Sequence, residues 1–348
     1  MAYGSIMSIS NDSSEFNNAI LKITGPKAGS TVTVTQDGTV INAIEDNGVW
    51  TAEVGKGSWV VKSGNRSTTV QVEFDKVYEV VLKMIGTLNE TSWEEISQLS
   101  ASGEAAGYWS VGDFKIIQLN GKIGRQSYTN YNIPVSILGF DHNTAHESKG
   151  ITFAFGSGTY RYAFADDYYG RSGGRSTIYR IRYTGTNDRG WVLTDNRSIL
   201  GSASKTVLTD TLMGALPEDL RNVMKSLNIW TDNTGDGNNT SSYVTQSTDY
   251  LPLLAEYEVF GTRTYANSRE RSYQKQYNYY ANGNLKIRLA ITGNDYLDIN
   301  GRSVIWTLRS PAVDTGQVSY KCIGVSASGS ETPIEINYSY GLAPIFRV

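Results

Sequence analysis

From Ala19 the chain alternates apolar and polar residues with period two. Ile20-Leu21-Lys22-Ile23-Thr24 stops at Gly25-Pro26, and Ser30 to Thr35 stops at Gln36-Asp37-Gly38. Val40 to Ala43, Val49 to Val54 after Asp46-Asn47-Gly48, Ser58 to Lys62, Thr68 to Phe74 and Val77 to Ile85 follow. Short strands broken by turn residues predict a small β-sandwich over residues 16–86, with Trp50 and Trp59 as its core aromatics. Residues 1–15 lack the alternation and are expected to form an arm that orders only on a partner.

Over residues 87–348 the period is mixed. Ser92 and Glu95 have capping-box spacing ahead of Trp93, Ile96 and Leu99 on one helical face. Strands are expected at Phe114–Leu119, Pro134–Phe140 and Gly150–Phe155. Pro217 to Leu227 carries an N-terminal proline, early acids and an apolar stripe, which predicts a helix. Further helices are expected at Leu251–Phe260 and at Arg269–Tyr280, where Tyr273, Tyr277 and Tyr280 repeat at helical spacing. The chain then reads as strands and loops to its end, so the fold class is mainly β with an α+β second domain.

Composition narrows the function. The chain has 348 residues and a net charge of −3, which gives no electrostatic reason to expect nucleic acid or an anionic membrane. No apolar run is long enough for membrane insertion, and Met1-Ala2-Tyr3-Gly4-Ser5 has no secretory pattern. Only 19% of residues are charged, and 23 tyrosines with many Gly, Ser and Asn suit adaptable contact surfaces. The single Cys322 lies in an apolar alternation and reads as a buried structural thiol; it supports neither a disulfide framework nor a cysteine zinc site.

Candidate chemistry is sparse. His142 and His146 stand four apart beside Asp141 and Glu147, but they follow a strand in a turn with no third ligand, so no metal is expected. Thr231 to Asn239 has alternating oxygen ligands without the closing glutamate of a calcium loop, and reads as solvated. No cofactor is expected. Tyr160-Arg161-Tyr162, the run holding Tyr168, Tyr169 and Arg171, and Tyr179 to Tyr183 interleave arginine with tyrosine. They read either as strands with Tyr and Arg on exposed faces or as a protein, glycan or nucleic-acid contact surface. The segment Thr315–Tyr340 supplies Gln317, Ser319, Tyr320, Asn337, Tyr338 and Tyr340, residue types of binding loops, unless it is an ordinary hairpin. Trp306 and Arg309 read as frame, the first filling the core and the second tying strands by multiple hydrogen bonds. No strained Gly-x-Ser-x-Gly elbow precedes a helix, and no glycine-rich phosphate loop carries a lysine, so no enzyme is expected.

Two resemblances extend this. Gly25 to Val34 and Asn47-Gly48-Val49-Trp50 resemble immunoglobulin-like or carboxypeptidase-regulatory-like domains of bacterial surface and phage tail proteins. Val135 to His142, Asp249 to Gly261, Trp306-Thr307-Leu308-Arg309-Ser310-Pro311 and Gly341-Leu342-Ala343-Pro344-Ile345-Phe346 are similar to an uncharacterised domain family of phages and prophages of gut Firmicutes. The chain departs from it with Ile305 where a first tryptophan is frequent, and with Thr307 inside the motif. The closing motifs also resemble C-type-lectin-like domains, including the formylglycine-generating-enzyme branch and variable proteins of diversity-generating retroelements. The resemblance implies an immunoglobulin-like sandwich followed by a C-type-lectin-like domain in which Trp306, Arg309, Pro311, Gly341, Pro344 and Phe346 are frame. It further implies a virion protein, tail, fibre or capsid-decoration in type, that meets other virion proteins through its N-terminal domain and a host glycan or protein through its C-terminal one. It would assemble as a homo-oligomer, with a trimer expected. A bacterial adhesin or retroelement-diversified protein is the alternative, and a carbohydrate-active enzyme a weaker one.

Overall fold

A computed structural model describes residues 18–165 apart from 27, 65, 83, 84, 124, 125 and 159, and then 181–183, 191–193, 211–232, 239–291, 303–312, 321–335 and 340–348. The chain divides into two compact units, Met1–Gly86 and Thr87–Val348. Both are built mainly from strands.

The first unit has β1 (Ala19–Thr24), β2 (Thr33–Gln36), β3 (Thr39–Asn42), β4 (Ile44–Asp46), β5 (Val49–Val54), β6 (Gly57–Ser63), β7 (Arg66–Val72) and β8 (Val77–Val81). They form two four-stranded sheets, β4-β5-β1-β8 and β3-β2-β6-β7, with β1 and β8 parallel. The inward phase of both sheets makes one core: Leu21, Ile23, Trp50 and Val54 from the first, Val34, Trp59, Val61 and Val72 from the second. Two-residue turns at Asp37-Gly38 and Asn47-Gly48 have positive φ at both positions, the backbone a tight hairpin needs and that Asp/Asn-Gly supplies most readily. The alternation over residues 16–86 shows seven strands; β4 is the additional one. Its three residues are all exposed, so it carries no alternation to read.

The second unit opens with α1 (Trp93–Ser102). Ser92 caps it, its side chain accepting from Glu95 N at 3.2 Å, and Gly103 ends it in the left-handed region. Strands β9 (Phe114–Ile123), β10 (Gln126–Phe140), β11 (Ile151–Ser157), β12 (Tyr160–Ala165), β13 (Ile181–Tyr183) and β14 (Trp191–Leu193) follow. After α2 (Glu218–Val223) come β15 (Leu227–Asp232), β16 (Val244–Asp249), α3 (Glu256–Phe260), α4 (Asn278–Ala281), β17 (Arg288–Ile291), β18 (Ser303–Val304), β19 (Trp306–Pro311), β20 (Lys321–Val325), β21 (Glu331–Glu335), β22 (Gly341–Leu342) and β23 (Ile345–Arg347). Eleven of these strands join one sheet in the order β21-β20-β19-β22-β12-β11-β10-β9, with β17 beside β12, β18 beside β17 and β23 beside β11. The first helix packs against the end of the chain: Trp93 meets Phe153 and Phe346 edge-on at 5.4 and 6.1 Å, and Ser100 Oγ donates to Val348 O.

Three predicted helices are shortened. The 217–227 helix stops at Val223 because Lys225 N bonds Arg347 O at 2.8 Å and Leu227 begins β15. The 251–260 helix begins only at Glu256, since Leu251 to Ala255 run beside the last strands, with Leu253 bridged to Pro344. Over 269–280 only a turn at Glu270–Ser272 and α4 are helical. Gln274 Nε2 donates to Trp230 O and Tyr277 N to Glu258 O, so the segment between is held by its neighbours rather than by its own ladder.

Cys322 is buried on β20 with its thiol 3.5 Å from Thr307 Oγ1, and burial pushes its pKa up to about 12. We therefore expect no alkylation by iodoacetamide at pH 8 over hours in the native state and rapid alkylation in guanidinium. Mass spectrometry of the quenched reaction reads this, and fast native labelling would contradict it.

Candidate functional site

Every residue of β19 is buried. Such a strand can hold a charged side chain only if the charge is met, and Arg309 is met on all sides. Its Nη1 and Nη2 each lie 2.6 Å from a different Glu258 oxygen, Nη1 also donates to Leu253 O at 2.6 Å, and Nε donates to Thr231 Oγ1 at 3.1 Å. One guanidinium thus joins β19, α3 and β15. Burial pushes the Glu258 carboxyl up, but the Arg309 charge and hydrogen bonds override it and hold it below the ordinary value.

Two further buried acids shape the neighbouring loops. Glu256 accepts from Thr264 N, Tyr265 N and Ala266 N at 3.1, 2.9 and 2.8 Å. Glu270 accepts from Asp232 N at 2.7 Å and Ser310 Oγ at 2.6 Å, and burial, with the nearby Asp232 charge adding to it, pushes its pKa up to about 7 against those bonds. A carboxyl that binds its proton more tightly when folded stabilises the fold most when protonated. That stability is complete below the ordinary value of 4.5 and is lost as pH rises through about 7. The loss amounts to roughly 3 kcal/mol. Urea unfolding at pH 4.5 and pH 8 should show Glu270→Gln losing less stability than wild type by about this amount. Equal losses would refute the assignment.

These buried groups fix an exposed feature. Strands β15 and β16 pair as a two-stranded ribbon whose inner residues Leu227, Ile229 and Thr231 are buried. The opposite face carries Asn228 and Trp230, across from Thr248 and Gln246. The half-buried Trp230 ring stacks parallel to Tyr273 at 5.4 Å, the His146 ring lies 4.5 Å from Trp230, and His146 and Tyr273 are 6.1 Å apart. Rings on opposite faces of the indole would be farther apart than that, so the three form a triangle rather than a sandwich. The backbone beneath is pinned by side chains: Gln274 to Trp230 O, Asn143 to Tyr273 O, Asn228 to His146 O and Glu147 to Asn228 N, each at 2.8–2.9 Å, together with Arg309 on Thr231 and Glu270 on Asp232.

The sequence-predicted residues separate. His142 is buried face to face on Tyr277 at 3.4 Å, and burial lowers its pKa to about 4, whereas His146 is exposed on the ribbon. Among the described residues no three His, Cys, Asp or Glu gather as a metal site. Thr231 and Asp232 belong to β15, bonded to Arg309 and Asn267, and 233–238 lie outside the described residues. The reading of Arg161 on an exposed face is wrong. It is 1% exposed, stacked 3.7 Å over Tyr279 and bonded to Ser136 Oγ at 2.7 Å, because β12 lies inside the large sheet with both faces covered. Tyr168, Tyr169, Arg171, Gln317, Ser319, Tyr320, Asn337 and Tyr338 lie outside the described residues. Tyr340 is partly buried just before β22. Of the frame residues, Trp306 and Phe346 are fully buried, and Pro311 ends β19 opposite Cys322. Pro344 bridges Leu253. Gly341 has no room for a side chain, since a Cβ there would lie 2.8 Å from that of Ala163.

Trp230 and Tyr273 were missed as a surface pair. The available signal was phase: Trp230 occupies the outward position of an alternating strand, where a large aromatic has no packing reason to be.

No family model matches the chain. No curated protein matches it. Among solved structures, a DUF3823 family protein from Parabacteroides merdae is similar at 8% identity and a TM-score of 0.17, over 41% of this chain and 60% of that one. The chain thus spans about three fifths of that protein's length. At that score the likeness assigns neither fold nor function.

Proposed function

We propose that the chain is a structural, ligand-binding protein of a phage particle, with an immunoglobulin-like N-terminal unit that docks to the particle and a C-type-lectin-like C-terminal unit that engages the host surface. The observation that carries the binding role is the partly exposed aromatic cluster of Trp230, Tyr273 and His146, whose backbone is pinned by side-chain hydrogen bonds. Such pinning lowers the ordering cost of binding. The finer fold reading is supported by the paired four-stranded sheets of the first unit and, in the second, by α1 packing on the last strand, so that the unit ends beside its own start. The phage assignment rests on the likeness of Trp306–Pro311 and Gly341–Phe346 to phage and prophage sequences. Among the described residues no helix is long and apolar enough to cross a membrane.

Peptide mass spectrometry of purified particles should find the chain, and the full-length protein should bind host cells and compete with particle adsorption. Absence from particles would defeat the virion reading, and failure to bind or compete would defeat the receptor reading. Sedimentation should return three times the chain mass; a monomer would remove the trimer.

A further inference from the structure

We infer that the His146–Trp230–Tyr273 triangle is a carbohydrate subsite that takes an acidic sugar. This rests on the host-binding reading above and gives it a place and a ligand class. Tyr273 is 37% exposed, Trp230 half-buried and His146 exposed, so part of the aromatic cluster meets solvent. Because His146 and Tyr273 sit 6.1 Å apart, they do not enclose the indole between them, and a ligand would pack on the outer, solvent-facing side of the triangle. The CH face of a pyranose suits such a surface, as it packs on aromatic rings while its hydroxyls stay polar. Beside Trp230, the exposed Gln246 on β16 offers both an amide donor and a carbonyl acceptor at the sugar's edge.

The size of the patch favours a sugar over a protein. Among the described residues of this unit, the large hydrophobics with substantial exposure are Phe114, Tyr250, Tyr273 and Leu285, far less than the apolar centre of a protein interface. Charge supplies the acidic preference. Arg269, Arg271 and Lys275 are exposed within four residues of Tyr273, while the nearby Glu147 is turned to Arg347 and Asn228 N. A carboxylate or phosphate on the sugar would meet cations.

The test uses an array of bacterial surface glycans, neutral members alongside uronic-acid, sialic-acid and glycerol-phosphate types, probed with the full-length protein. Wild type should favour the acidic spots. Tyr273→Ala should weaken binding about tenfold or more, as loss of a stacking ring does. Gln246→Ala, at an exposed position, should weaken it severalfold. Arg271→Glu with Lys275→Glu should abolish the preference for acidic over neutral spots. Cooperative thermal unfolding of each variant, with a melting temperature well above the assay temperature, separates lost binding from lost folding. Tyr273→Ala and Gln246→Ala proteins that bind like wild type would overturn the site while leaving host binding standing. Wild type that binds host cells but no glycan would overturn the ligand class alone. Wild type that binds neither would remove the host-binding reading and this inference together.

Discussion

Glu258→Leu is expected to destabilise the C-terminal unit by roughly 3–5 kcal/mol, and adding Arg309→Met to recover much of that loss. The single change strips a guanidinium that is 2% exposed of its ion pair, the two 2.6 Å contacts to Glu258, and leaves only the weaker pull of Glu270 on it. Most of the desolvation penalty then goes unanswered. The double change removes both charges and fills the space with apolar atoms, so the remaining cost is the Leu253 carbonyl and Thr231 hydroxyl left without a donor and the Ala255 N–H left without an acceptor, about 1–3 kcal/mol for each group that stays unpaired. Hydrogen exchange of peptides from β15 and β19, read by mass spectrometry, follows this unit specifically. A double variant no more stable than the single one would show that shape, rather than charge, governs the position. Because Thr231 adjoins Trp230, the single variant should also loosen the aromatic ribbon, which ties the stability of the frame to the readiness of the surface.

How much of this could be read in advance differs between the units. In the first, every strand but β4 follows from alternation, and the hairpins from Asp37-Gly38 and Asn47-Gly48, because each feature is local. Helix α1 is legible for the same reason, as Ser92, Glu95 and the Trp93/Ile96/Leu99 face lie within one short segment. The second unit is governed by pairings distant in sequence. Glu256, Glu258 and Glu270 look like residues of solvated helix faces, and nothing near them announces an arginine on β19. The tyrosine spacing at 273, 277 and 280 mimics a helix, yet each ring has its own partner: Tyr273 lies on Trp230, Tyr277 on His142, and the Tyr280 hydroxyl accepts from Arg288. Periodicity reports local geometry and cannot distinguish a stripe from three separate tertiary contacts.

Trp306→Ala should cost about 5 kcal/mol or more, at or above the top of the range for an ordinary buried tryptophan and enough to unfold a unit of ordinary stability at modest denaturant. The side chain is fully buried, and Nε1 donates to Lys286 O at 2.9 Å. The Arg288 guanidinium lies over its ring at 4.3 Å. Arg288 is itself only 1% exposed and is bonded to Tyr162 O and the Tyr280 hydroxyl, so the indole face is part of what makes its burial tolerable. Alanine would leave a cavity beside that charge. Cavity and lost cation–π contact should therefore add, which distinguishes this position from an ordinary large-to-small change. Trp306→Phe keeps an aromatic face beneath Arg288 but loses the bond to Lys286 O and some volume, and should cost about 1–3 kcal/mol. Trp306→Leu fills most of the space with no π face and should fall between the two. Equal losses for Phe and Leu in urea unfolding would show that volume alone matters here and that Arg288 does not depend on the ring.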